Sequence, residues 1–316
     1  MVSAAQPGTV RALWAACRDA LAAAGIENAA AEADWLWQAA VGGDRHLFRP
    51  EDTVPLPRAE VLRCLTARRA AHEPLQYLLG SWPFLNFEVQ VCPGVLIPRQ
   101  DTECVAEEAI RQGRLLQAQG LLPTAAPGAG AGGQSMPEDA ADVGAGLCLD
   151  VCAGSGVLAL ALAVNLRVPV TAVELSAAAL PCLQANATQV CAQFAAPPVR
   201  VVQQDLFAYW QTLAPASVAL LVSNPPYLTE EELQSLQPEV EHEPTLALDG
   251  GPDGLRFYRC LAQDYRACMR PGGALVLEIG AQQGEAVCSL LQAAGWRQVR
   301  VLRDLAGHDR CICALR

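Results

Sequence analysis

The apolar run Val218-Ala219-Leu220-Leu221-Val222, followed at once by Ser223-Asn224-Pro225-Pro226-Tyr227, constrains this 316-residue chain more than any other stretch. Five apolar residues in succession read as a buried strand. Two consecutive prolines offer no N–H and cannot extend a ladder, so the strand stops at Ser223 and the next four residues form a rigid turn at its carboxyl end. In open α/β sheets that edge is where ligands bind. The turn presents a side-chain amide (Asn224), a free backbone carbonyl (Pro225) and an aromatic face (Tyr227) on a stiff backbone. Two acceptors and an aromatic wall suit the grip of a planar –NH2 group. A Pro-rich turn with no such role is the plain alternative, and the rest of the chain decides between them.

Upstream, Leu147-Cys148-Leu149-Asp150-Val151 leads through Cys152-Ala153-Gly154-Ser155-Gly156 into Val157-Leu158-Ala159-Leu160-Ala161-Leu162-Ala163. This reads as strand, Gly-rich turn and apolar helix. Glycine there permits positive φ and close approach of a ligand to the backbone. The next strand, Val170-Thr171-Ala172-Val173-Glu174, ends in an acid about twenty residues on, where a carboxylate can bind both hydroxyls of a ribose. A further strand, Val199-Arg200-Val201-Val202, runs to Gln204-Asp205-Leu206-Phe207, and an acid at Asp205 can accept from an adenine amino group. Each acid alone could be a solvated residue or a helix cap. Together, Asp150, Gly154, Gly156, Glu174, Asp205 and Asn224 fall in order at strand ends on one edge of one sheet.

The composition narrows the classes. With 52% hydrophobic and 17% charged residues the chain reads as soluble and globular, long enough for two domains. A net charge of −11 argues against stable nucleic-acid binding and against anionic membranes. Thirteen cysteines form no CxxC pair and only four histidines are present, so no metal is expected. No signal-peptide core and no 18-residue apolar run are seen, and the expected compartment is the reducing cytoplasm.

Along the chain, Val10, Leu13, Trp14, Cys17 and Leu21 fall at helical spacing and Gly25 ends that helix; further helices are expected over 29–40 and 58–71. Residues 1–73 thus form a small helical domain whose aromatics belong to its core. Residues 74–98 change character, with alternation over Phe87-Glu88-Val89-Gln90-Val91, and read as a hairpin linker. Residues 99–316 form the larger domain, opening on a helix to about residue 117 with Asp101 or Thr102 as its cap. Within it, 123–146 are rich in Gly, Ala and Pro without periodicity and read as a flexible insertion. Strands and helices then alternate, which implies a mostly parallel sheet with helices on both faces. A closing antiparallel hairpin is expected from 296–302 and 310–315. The charge run Glu230-Glu231-Glu232 through Glu239, Glu241 and Glu243 reads as a solvated face.

At this point the chain resembles the bacterial release factor glutamine methyltransferase family. The resemblance rests on Glu73-Pro74-Leu75-Gln76-Tyr77 with Gly80, Leu96-Ile97-Pro98-Arg99 with Asp101-Thr102-Glu103, the Gly-rich turn and Asn224–Tyr227. It continues through Glu243-Pro244, Asp253-Gly254-Leu255, Leu277-Glu278-Ile279-Gly280 and Asp304-Leu305-Ala306-Gly307. It implies a Rossmann-like S-adenosylmethionine-dependent methyltransferase domain behind an N-terminal substrate-recognition domain, and methylation of the glutamine in the Gly-Gly-Gln motif of class I release factors. It implies donor contacts from Cys152, Ala153, Gly154, Ser155, Gly156, Glu174, Asp205, Leu206 and Asn224. Asn224, Pro225 and Tyr227 become the catalytic residues, and these with Pro226 hold the glutamine. Three positions depart from the pattern: Cys152 and Ala153 stand where the family usually has Gly and Thr, and Leu206 where close relatives often have Trp. Arg99 is left between a donor contact and a linker support, and no general base is evident. A ribosomal-protein glutamine methyltransferase shares the site, a nucleic-acid amino-methyltransferase would want a basic surface, and a donor-binding scaffold without catalysis would not need Asn224–Tyr227.

Overall fold

The computed structural model describes residues 8–124 and 146–316. The stretch 123–146 expected as an insertion lies almost wholly outside the described residues. By internal contacts the chain forms two compact units: one runs up to Ser81 and takes in Leu236–His242, the other comprises Trp82–Ser235 and Glu243–Arg316.

The first unit is helical: α1 (Val10–Ala23), α2 (Ala29–Val41), α3 (Leu56–Ala70) and the short α4 (Leu75–Leu79). Thr9 caps α1 by accepting from Ala12 N, and Gly25 leaves it at φ 81°. Leu21, Leu36, Trp37 and Leu62 are fully buried in its core. Trp35, expected in that core, is instead exposed, because it lies between Asp34 and Leu36 on the solvent side of α2. The residues Gln76-Tyr77-Leu78, expected in the hairpin, are helical. Pro74 starts that turn of helix and Gly80, left-handed at φ 80°, ends it. Arg69, nearly fully buried, binds Glu32 at 2.6 Å and Glu239 at 3.0 Å. Part of the charge run is therefore structural within this unit rather than solvated.

The hairpin β1 (Ser81–Phe84) and β2 (Phe87–Gln90) precedes α5 (Thr102–Ala118). Asp101 stands at the N-cap of α5 in a helical conformation, and its carboxylate binds no helix N–H; Arg310 draws it away at 3.2 Å. Then follow β3 (Leu147–Val151), α6 (Val157–Leu166), β4 (Val170–Glu174), α7 (Leu180–Phe194), β5 (Val199–Gln203), α8 (Leu206–Tyr209) and β6 (Val218–Ser223). The chain ends with α9 (Arg256–Gln263), β7 (Met269–Glu278), α10 (Gly284–Ala293), β8 (Arg297–Arg303) and β9 (Asp309–Leu315).

Seven strands form one sheet in the order β5-β4-β3-β6-β7-β9-β8. The first five are parallel, and β9 enters antiparallel between β7 and β8, as the alternation and the terminal hairpin lead one to expect. Both faces are covered. Val222, Val276 and Ala172 pack with α5, α6 and α7 on one side; Leu149, Leu221 and Leu277 pack with α8, α9 and α10 on the other. Burial on both faces is why the strands carry near-continuous apolar runs. The strand order reverses between β3 and β6, with β4 on the far side of β3, so a crevice opens at the carboxyl ends there.

Candidate functional site

A cleft open to solvent occupies that crevice. Its walls include Cys152–Ser155 of the Gly-rich turn, Glu174 at the end of β4, Asp205 and Leu206 after β5, and Asn224 and Pro226 after β6. The residues singled out in sequence thus converge on one space, drawn from four strand ends. Gly156, Pro225 and Tyr227 adjoin it but do not line it.

The Gly-rich turn is rigid because its backbone is bonded in place. Ala153 N donates to Val173 O at 3.1 Å, and Gly154 N donates to Glu174 Oε2 at 2.8 Å. Glu174 Oε1 accepts from Ser176 N at 2.7 Å. The carboxylate is therefore aimed by two N–H groups, and each oxygen keeps a lone pair for an incoming hydroxyl. Cys152 sits at φ 62°, a left-handed conformation that favours glycine. A side chain at Gly156 would collide with Leu183, which fixes the close packing of α6 and α7. Behind the turn, Asp150 is fully buried, with Oδ2 accepting from Ala159 N in the first turn of α6 at 2.9 Å and Oδ1 bound to nothing among the described residues. Burial pushes its carboxyl up to about 8 against the pull of the Ala159 N–H.

On the next strand, Asp205 caps α8 by accepting from Phe207 N at 3.0 Å, and its second oxygen remains for a ligand. Leu206 is buried, its carbonyl held by the Tyr265 hydroxyl at 2.9 Å. Phe257 also lines the cleft, tilted against Phe207 with ring centroids 5.1 Å apart. Sequence reading missed Phe257 and Leu246, which follow the Asp253-Gly254-Leu255 and Glu243-Pro244 pieces and reach the cleft from α9 and from a short helical turn.

The Asn224–Tyr227 turn differs. No hydrogen bond reaches Asn224 from the described residues, so its amide stands open in the cleft. The Tyr227 carbonyl accepts from Gln283 Nε2 at 3.0 Å, which ties the turn to α10. Burial, helped by the nearby Glu278, pushes the Tyr227 phenol up to about 12, so it stays neutral. Arg99 pairs with Glu243, which also accepts from Ile97 N at 2.9 Å. Glu243 is buried, not part of a solvated face, because these two partners hold it against the segment before α5. Arg99 thus supports the linker to α5.

Comparison with known proteins agrees with this architecture. Residues 12–80 match the PrmC N-terminal domain and residues 134–241 the methyltransferase small domain. The release factor glutamine methyltransferase of Geobacter sulfurreducens is 38% identical over 308 residues, 96% of this chain and 95% of that one. The enzyme of the same name from Moorella thermoacetica is 39% identical over 300 residues, 94% of each chain. That of Caulobacter vibrioides is 33% identical over 308 residues, 96% of this chain and 95% of that one. With near full-length identity at this level, a doubly covered parallel sheet and a Gly-rich turn facing an Asn-Pro-Pro-Tyr turn across one cleft, the chain belongs to the release factor glutamine methyltransferase family.

Proposed function

We propose that this protein transfers a methyl group from S-adenosylmethionine to the side-chain amide nitrogen of the glutamine in the Gly-Gly-Gln motif of class I peptide chain release factors. The observation that carries the reading is Asn224: an unpartnered amide at a strand end, lining the same cleft as the Gly154–Glu174 pair.

The residues present fit the donor. Glu174, aimed by the N–H groups of Gly154 and Ser176, suits a ribose diol. Asp205 suits an adenine amino group and Leu206 an adenine face. The Gly154 position has open space where a Cβ would stand, so a ligand can lie against its backbone. The donor supplies an already activated sulfonium methyl.

An amide nitrogen is a poor nucleophile, because its lone pair is delocalised into the carbonyl. The work of this chain is therefore placement. Asn224 Oδ1 and the Pro225 carbonyl accept the two amide hydrogens, aim the nitrogen at the methyl carbon and stabilise the positive charge that grows on it. Pro226 packs against the amide plane, with the neutral Tyr227 behind it. The N-terminal helical unit, 1–73 in the sequence reading, recognises the body of the protein substrate. The chain works in the cytoplasm on a protein; among the described residues no helix is long and apolar enough to cross a membrane.

The test is transfer of labelled methyl to purified release factor, to the same factor with its Gly-Gly-Gln glutamine changed to alanine, to ribosomal protein and to nucleic acid in parallel. Label in the intact release factor alone is expected. Label in ribosomal protein or nucleic acid with none in release factor would overturn the reading.

A further inference from the structure

Glu278 ends β7 and is buried, with Oε2 bound to nothing among the described residues. The parallel register ends by pairing Ser223 with Leu277, the residues just before Asn224 and Glu278, on adjacent strands about 4.8 Å apart. Side chains alternate along a strand. Ser223 and Leu277 point to one face of the sheet, so position 278 points to the other, with Val276, toward α5. There Thr102, the first residue of α5, lines the same cleft as Asn224. Its hydroxyl oxygen is also buried and without a hydrogen-bond partner among the described residues. The hydroxyl on the cleft wall faces the carboxylate behind it without a hydrogen bond of full geometry, and two buried oxygens so placed are costly to keep for stability alone.

We propose that the Glu278 carboxylate, acting through the Thr102 hydroxyl, accepts the proton that leaves the glutamine nitrogen on methyl transfer. The inference rests on the substrate reading above. The nitrogen lone pair forms the bond to the methyl carbon, and the electron pair of the broken carbon–sulfur bond stays on sulfur. The nitrogen then carries an excess proton. One of the two N–H groups leaves its acceptor in the Asn224–Pro225 pair and gives its proton to Thr102 Oγ1 as Thr102 passes its own to Glu278, and the acid later releases it to water. Sequence reading found no base because this one stands one strand away, behind a threonine.

The groups facing Glu278 are Arg99 and Asp101 before α5, Thr102 and Cys104 in its first turn, Tyr227 after β6, Tyr258 of α9, and Arg310 and Cys311 of β9. Burial raises the Glu278 carboxyl to about 7, and Thr102 and Arg310 draw it back only in part. A base of that strength is ionised above neutral pH and can still hold a proton near it.

Single-turnover transfer to release factor, measured from pH 5.5 to 9, tests this. In the wild type the rate constant is expected to rise with a midpoint near pH 7. In Glu278→Gln the profile should be flat, with a rate about 10–10² below wild type at pH 8, less than a fully lost base because water can take the proton. Thr102→Val should lose a similar factor. Donor affinity should hold in both, and the Glu278→Gln melting temperature at pH 8 should be no lower than wild type, since a buried charge is removed. A Glu278→Gln profile that still rises, a rate within threefold of wild type, or a loss matched by weaker donor binding or lower melting temperature would overturn the proposal alone. No transfer by the wild type at any pH would sink the substrate reading, and this proposal with it.

Discussion

The two sides of the cleft are built on opposite principles. On the Gly-rich side, polar groups are already engaged: Gly154 N–H and Ser176 N–H hold both oxygens of Glu174, and Phe207 N–H holds Asp205. On the Asn224 side they are left open: Asn224 is unpartnered, and Thr102 Oγ1 and Glu278 Oε2 are buried without hydrogen bonds among the described residues. The first side is a preformed socket, where binding costs little rearrangement. The second keeps its polar groups for a partner that arrives with the reaction, where an unpaired donor or acceptor is worth most. Binding and catalysis should therefore separate cleanly by mutation across the cleft.

Asn224→Ala gives the largest expected effect. Loss of one preorganised polar contact to a developing charge typically costs about 10²–10³ in turnover. Donor affinity, measured by calorimetry, should barely change, since the side chain holds nothing on the socket side. Turnover within tenfold of wild type would remove Asn224 from the mechanism. Parallel loss of donor binding would erase the contrast between the two sides.

Glu174→Ala should show the reverse. Hydrogen bonds to a charged group are worth roughly 1.5–3 kcal/mol, so the donor dissociation constant should rise by about one to two decades. The turn should also loosen, because Gly154 N–H and Ser176 N–H lose their acceptor. At saturating donor, turnover should recover most of the wild-type value. Unchanged donor binding would move the ribose contact elsewhere.

How legible these two sides were differs for a physical reason. The socket is local: apolar strands, glycines at positive φ and an acid at a strand end all lie within the Leu147–Glu174 stretch and carry period and spacing that a sequence displays. So did the Asn-Pro-Pro-Tyr turn, since two prolines can only end a strand. The groups that complete the other side were not legible. Thr102 comes from a helix far from Asn224 in the chain, and the place of Glu278 next to the strand that ends at Ser223 is set by register. Glu243 was misread as solvated for the same cause. Its burial depends on Ile97 N–H and Arg99, nearly 150 residues earlier in the chain. Gln76-Tyr77-Leu78 failed locally, because one helical turn between Pro74 and Gly80 is too short to show a period.

The buried acid of the socket side gives a pH test of its rigidity. The Asp150 carboxyl is raised to about 8 when folded, against about 3.9 in an unfolded chain. The folded state then binds the proton more tightly, so this group's contribution is full below pH 4 and fades as pH rises toward 8. One such proton is worth up to about 1.4 kcal/mol per pH unit, a tenfold change in the folding equilibrium. Asp150→Asn keeps an acceptor for Ala159 N–H and removes the titration. Its melting temperature should fall less than that of wild type between pH 5 and 8. Equal slopes would mean that Asp150 stays ionised in the fold.

The smallest effect is expected at Cys152, a non-glycine residue in a left-handed conformation. A non-glycine residue at φ 62° costs about 1–2 kcal/mol in the folded state. Cys152→Gly relieves that strain, but glycine raises the entropy of the unfolded chain by about 0.4–1 kcal/mol and the thiol loses its packing against the core. The thiol is neutral, since burial raises it well above its ordinary value, so no charge is lost. These terms nearly cancel, and both stability and donor affinity should stay close to wild type, the latter within about threefold. Cys152→Val breaks the balance: a β-branched side chain in a left-handed conformation should lower stability by about 1–3 kcal/mol. If Cys152→Gly instead weakens donor binding tenfold or more, the thiol itself touches the donor, and the socket holds its ligand by side chain as well as by backbone.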